Sequence, residues 1–228
     1  MDETTEFLIR ASAWVLPTIL AITFHEAAHG WAASKLGDDT AKRLGRVTFN
    51  PIAHVDPFGT VILPALLYFT TGFLFGWAKP VPVSFGRLNK PRRDMVLVAL
   101  AGPVTNILLA FVSAWLMRWA HLLPEPLAPW AATSLQISVV INLVLAIFNM
   151  LPLPPLDGGR VAVGILPRPL AIPLARMERY GLLVLIGVLV LLPMIGGQLG
   201  YRIEILPWLL RTPMEYIGDL IFRLAGHG

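Results

Sequence analysis

The chain has 228 residues, 56% of them hydrophobic and only 14% charged, where soluble domains average about 25% charged. A mean hydropathy of +0.68 excludes an ordinary soluble domain and predicts an integral membrane protein. The absence of cysteine rules out disulfides, thiolate metal ligands and cysteine nucleophiles, and the net charge of +4 comes from Lys and Arg at the ends of apolar runs, which points to a lipid bilayer and not to nucleic acid.

The N-terminus reads Met1-Asp2-Glu3-Thr4-Thr5-Glu6 and lacks the basic region of a secretory signal, so the first apolar run is expected to be a retained helix over about 7–36. Acidic residues precede it, and Lys35, Lys42, Arg43 and Arg46 follow it. The positive-inside rule therefore puts its C-terminal end in the cytoplasm. Inside this helix lies Phe24-His25-Glu26-Ala27-Ala28-His29-Gly30. Residues i and i+4 share a helix face, so His25 and His29 can grip one zinc ion, with Glu26 beside an open coordination position as general base. Ionisable groups are costly in so apolar a segment, which argues for function over chance.

The turn-rich stretch 50–60 carries His54, read either as a loop histidine satisfied by its neighbours or as an accessory to the site or its gate. The apolar run 58–75 is expected to be re-entrant or interfacial. A crossing there would send Lys79, Arg87, Lys90, Arg92 and Arg93 outside, against the charge rule, and Pro64, Thr70-Thr71-Gly72 and Gly76 permit a broken path. Residues 77–85, with Pro80 and Pro82, are expected to form a short extended edge strand.

A second span is expected over about 95–119. It holds Ala101-Gly102-Pro103-Val104-Thr105-Asn106, whose small residues allow close helix packing and whose Asn106 needs a partner, either another helix or a substrate carbonyl. The loop 121–130 has no Lys or Arg and suits the outer side, and a third span over about 131–150 returns the chain. It runs into Asn149-Met150-Leu151-Pro152-Leu153-Pro154-Pro155-Leu156-Asp157-Gly158-Gly159. Three prolines in four residues forbid regular helix, so an extended segment able to pair with an unwound substrate is expected there. A catalytic zinc needs three protein ligands and an open position, and Asp157 is the carboxylate best placed to complete His25 and His29, since two crossings bring it back to their side.

HEAAH in the first helix, AGPVTN in the second and NMLPLPPLDGG after the third together resemble the site-2 protease family of intramembrane zinc metalloproteases, over about residues 20–165. The resemblance implies one zinc per chain held by His25, His29 and Asp157, Glu26 as general base, and Asn106 and Asn149 as supports near the substrate. It also implies transmembrane proteins as substrates and separate membrane proteins as regulators or adaptors. The compact form of the family, without PDZ or CBS domains, is the one resembled.

Towards the C-terminus a further apolar run, 180–195, can span, and 201–224 reads as an amphipathic surface helix broken at Pro207 and Pro213. The expected fold is therefore an all-α polytopic membrane protein with four to six transmembrane helices, a re-entrant or interfacial segment and short membrane-associated β-strands. It forms a single domain over 1–228, with a core of about 7–165 and a tail of 166–228, set in the cell membrane with its site towards the cytoplasm. The competing readings are a metal-ion transporter or sensor and an inactive membrane scaffold. Glu26 discriminates against transport, which has no need of a base beside an open metal position, and nothing in the intact motif favours a scaffold.

Overall fold

The structure, a computed structural model, describes residues 3–71, 76–201 and 203–227. In chain order, α1 (Glu3–Lys35) leads to α2 (Thr40–Arg43), a 3-10 turn at Pro51–His54, a π-helical turn at Pro57–Ile62 and α3 (Leu63–Thr71). An irregular segment, 76–84, precedes α4 (Pro91–Met117) and α5 (Leu127–Asn149), and the turns of 150–156 precede α6 (Asp157–Ile165) and α7 (Arg168–Arg176). Next, α8 (Glu178–Ile186) and α9 (Leu192–Gln198) run as one helix through a π-helical stretch, and α10 (Ile205–Leu224) follows.

Among the described residues four helices are long and apolar enough to cross a membrane: Thr4–Lys35, Pro91–Met117, Leu127–Asn149 and Glu178–Gln198. Their outward faces carry Trp14, Leu16, Leu108 and Leu183, as a lipid-facing surface requires. The helices α1, α4 and α5 pack against one another. Ala21, Ala33, Ala110 and Ala114 are fully enclosed, and such small residues let backbones approach closely. α6 packs on α4, and α10 lays Ile221 and Ala225 on Ala110, Ala114, Val139 and Leu143.

Four expectations need correction. No β-strand occurs among the described residues. Segment 76–84 has no regular secondary structure and no ladder partner, because its polar groups go to scattered acceptors and donors, as in Trp77 N–H to Gly59 O and Lys79 N–H to His54 O. Residues 57–71 form a 6-residue π-helical turn and the 9-residue α3, too short to span at about 20 residues per crossing, and the break at Gly72 lies outside the described residues. Nothing in these elements demonstrates a re-entrant path. The proline-rich 150–156 is a coil of turns and not an extended strand, closed by Leu153 N–H to Leu151 O and Leu156 N–H to Leu153 O. It fits because Gly158, Gly159 and Gly181 have no Cβ to meet its backbone: a Cβ at Gly181 would lie 2.0 Å from Pro154 O. Finally, α10 runs unbroken through both prolines. Pro207 sits in the first turn, where its missing N–H has no intrahelical role, and the interior Pro213 is tolerated in a helix held by packing on α4 and α5.

Candidate active site

His25 and His29 lie on the face of α1 turned towards α4, and both are buried, at 6% and 8% exposure. Asp157 enters as the first residue of α6, itself 5% exposed. The chain thus brings together two histidines from one helix and a carboxylate distant in sequence. Asp157 Oδ2 lies 3.2 Å from His25 Nε2 and 3.3 Å from His29 Nε2, and the two Nε2 atoms are 3.0 Å apart. All three ligand atoms fall within 4.8 Å of one another.

The protons on these rings follow from their outer partners. His29 Nδ1 lies 2.8 Å from the carbonyl of Val98, and a carbonyl only accepts, so that nitrogen carries the hydrogen. His25 Nδ1 lies 2.5 Å from Asn106 Oδ1, again an acceptor. In the neutral rings both Nε2 atoms therefore present lone pairs to each other and to Asp157 Oδ2, which has no hydrogen-bond partner although it is buried. Three acceptors converging without a proton between them repel, and a cation at their centre removes the conflict. Two imidazoles and one carboxylate, each ring oriented by an outer acceptor, form a donor set that suits zinc with one position left open.

Gly102 of α4 makes the room. A Cβ there would stand 2.4 Å from His29 Nε2 and 2.7 Å from His25 Nε2, in the space an ion bound to those nitrogens needs. Gly30, one residue after His29, opens the other side: a Cβ would stand 2.9 Å from Val47 and 3.1 Å from Val81, so its absence lets segment 76–84 lie close to α1. That segment delivers Val81 N–H to Glu26 Oε2 at 2.7 Å. Pro80 and Pro82 flank the donor, so it is the one N–H among those three residues. Arg46 donates to Lys79 O at 2.8 Å, and Ser84 N–H donates to Asp38, which anchors both ends. Asp38 is fully buried just beyond α1. Burial works to raise its pKa, but hydrogen bonds from the Thr40 hydroxyl, Ser84 N–H and Thr40 N–H, with Arg87 nearby, hold it below the ordinary carboxylate value.

The remaining expected residues are placed as follows. Asn106, fully enclosed, accepts from His25 and donates to Ala21 O at 3.2 Å and Asn142 Oδ1 at 2.8 Å, so both amide protons are committed within the protein. Asn149 donates to Leu145 O of its own helix at 3.0 Å and not to the cluster. His54 is buried outside the cluster, its Nε2 3.0 Å from Thr48 O, while its carbonyl receives Lys79 N–H and so helps hold the segment that crosses Glu26. Sequence reasoning missed Gly102 as the space-maker, Val81 as the partner of Glu26, and Asn142 altogether. A signal existed only for Asn142: an amide in the middle of an apolar helix must find a partner, the argument already applied to Asn106.

Known proteins resemble this chain over most of its length. The family model described as Peptidase family M50 matches residues 120–192. YwhC of Bacillus subtilis, provisionally named a zinc metalloprotease, is 41% identical over 194 residues, covering 80% of this chain and 85% of its own. Rip2 of Mycobacterium tuberculosis (strain H37Rv), provisionally named in the same way, is 29% identical over 199 residues, covering 86% of this chain and 74% of its own. A third such protein, MJ0611 of Methanocaldococcus jannaschii, is 48% identical over a shorter stretch of 64 residues, 28% of this chain and 31% of its own. No solved structure gives a significant match. The chain is a multi-pass membrane protein that belongs to peptidase family M50, the site-2 protease family of metalloproteases.

Proposed function

We propose that this chain is a zinc metalloprotease that cleaves peptide bonds in or near transmembrane segments of membrane-protein substrates. The observation that carries the reading is the convergence of His25 Nε2, His29 Nε2 and Asp157 Oδ2 within 4.8 Å of one another, with both histidines on a helix long and apolar enough to cross a bilayer. These three residues would hold one zinc ion per chain. Zinc in that position supplies Lewis acidity towards the scissile carbonyl and makes water a competent nucleophile near neutral pH.

The chain's own residues perform the rest. Glu26 Oε1 and Oε2 offer the carboxylate that takes a proton from the attacking water and returns one to the leaving amine. Val81 N–H fixes the rotamer of that carboxylate through Oε2. Asn106 and Val98 O hold the two imidazoles with Nε2 inwards, and Gly102 keeps the space between them open. Asn149, half-buried at the end of α5 where the turns towards Asp157 begin, is the residue we assign to support of the substrate backbone. His54 acts at the gate, because it ties the 51–54 turn to the segment crossing Glu26. A substrate helix must unwind locally before attack, since its carbonyls are engaged in i to i+4 bonds.

The charge rule orients the molecule with Lys35 to Arg46, Arg87 to Arg93 and the site towards the cytoplasm, and 121–130 outside. The whole chain acts as one membrane domain, with regulators and adaptors supplied by separate membrane proteins. Co-expression with a panel of single-span membrane proteins tests this reading. Uncleaved substrate should accumulate with Glu26→Gln and not with wild type, and equal cleavage by both would remove Glu26 as the base.

A further inference from the structure

The polar groups beside His25 form a chain whose direction is fixed at both ends. Asn142, 1% exposed in α5, donates through Nδ2 to the backbone carbonyl of Ser138 at 2.9 Å and lies 3.3 Å from Ser138 Oγ, which pairs with Ser113 Oγ at 2.8 Å. Its Oδ1 therefore faces Asn106 and accepts from Asn106 Nδ2. The second proton on Asn106 Nδ2 goes to Ala21 O, another group that can only accept. With Nδ2 committed to these two acceptors, Asn106 Oδ1 is the atom left for His25 Nδ1. Two backbone carbonyls thus determine which way each amide points, and through them which nitrogen of His25 carries its proton.

We propose that Asn142 is a positioning residue of the metal centre, two steps from the ion, which by orienting the Asn106 amide locks His25 in the Nδ1–H form whose Nε2 lone pair is free to bind a metal. Without the Asn142 acceptor, Ala21 O, at the longer 3.2 Å, is the one remaining contact that specifies which way the Asn106 amide points, because the His25 ring can exchange donor for acceptor, and the amide can flip. A flipped amide presents N–H to His25 Nδ1, which must then accept, so the ring proton moves to Nε2 and blocks the nitrogen that faces Asp157. The inference rests on the zinc reading above and adds to it a residue on a third helix, α5, which supplies neither ligand nor base.

The test uses the purified full-length protein in detergent and zinc alone as the probe. Asn142→Leu is close in volume and removes both hydrogen-bonding groups. Chelator competition should show zinc affinity reduced roughly 10- to 100-fold, the usual effect of losing an outer partner of a ligand histidine. Ser138→Ala, which leaves the backbone acceptor in place, should stay within about threefold of wild type. Thermal unfolding of the metal-free proteins separates positioning from packing: a merely structural role would lower stability and leave the affinity of the folded fraction intact. A zinc-binding wild type with equally tight Asn142→Leu overturns the proposal, whereas a wild type that binds no zinc overturns the zinc reading itself. Should Asn142→Leu not fold, the proposal stands or falls on ¹⁵N-histidine NMR of metal-free wild type at a pH where the rings are neutral. The His25 signals, identified by their loss in His25→Ala, should be those of the Nδ1–H form, and Nε2–H there would refute it.

Discussion

Replacing Gly102 by alanine adds one methyl group where the site has no room for it. The new Cβ would stand 2.4 Å from His29 Nε2, 2.6 Å from His25 Cε1 and 2.7 Å from His25 Nε2, all well inside van der Waals contact. The imidazoles cannot simply swing aside, because Val98 O and Asn106 pin their far nitrogens and neither ring has a flexible end. Overpacking of this kind costs about 1–3 kcal/mol when neighbours shift to accept it. The loss of metal should be larger than that strain alone, since zinc–nitrogen bonds are about 2.0–2.1 Å and the methyl occupies the space between the two nitrogens. Each 1.4 kcal/mol is a factor of ten in affinity, so Gly102→Ala should lose at least tenfold in zinc affinity. Zinc retained after dialysis against graded chelator is the assay, with Val104→Leu, on the exposed face of the same helix, as control. Wild-type zinc affinity in Gly102→Ala would show that the ion does not sit between these rings.

Further outcomes follow from the same geometry. Asp38→Asn should cost about 1–3 kcal/mol of stability at neutral pH, because an amide N–H₂ must then face one of the donors that Asp38 now accepts from. The folded pKa of Asp38 is depressed, so its stabilisation is complete above the ordinary value of 3.8 and is lost as pH falls through the lower folded value. The gap between wild type and variant in urea unfolding should thus be constant above about pH 5 and close only below pH 3.8; a gap that closes near neutrality would contradict the assignment. For topology, the chain lacks native cysteine, so a single cysteine at Asn89 should resist an impermeant outside reagent in intact cells while one at Glu125 is labelled. Labelling at Asn89 would reverse the orientation.

Much of the site was legible because its chemistry is local in sequence. The i, i+4 spacing of His25 and His29 fixes their shared face before any tertiary contact forms, and Asp157 beside two glycines, a weak turn signal by itself, gained meaning only from the need of that pair for a third ligand. What was not legible depended on partners remote in the chain. The strand expected at 77–85 had the right composition but no neighbouring strand among the described residues, and its one N–H between prolines goes to Glu26 instead of a ladder. The extended run expected before Asp157 became turns because Gly158, Gly159 and Gly181 admit a coiled backbone between α6 and α8, a fit that no local pattern encodes. Proline likewise misled at 213, where packing on α4 and α5 outweighs a missing hydrogen bond.

The central claim is that His25, His29 and Asp157 together hold a catalytic zinc. X-ray absorption at the zinc edge, on wild type purified without chelator, addresses it most directly. About one zinc per chain is expected, with two imidazole nitrogens at about 2.0–2.1 Å and oxygen completing the shell, and both the metal content and the two-imidazole signature should be lost in the His25→Ala, His29→Ala double variant. A folded wild type that carries no zinc, or a double variant that keeps the same spectrum and stoichiometry, would contradict the account.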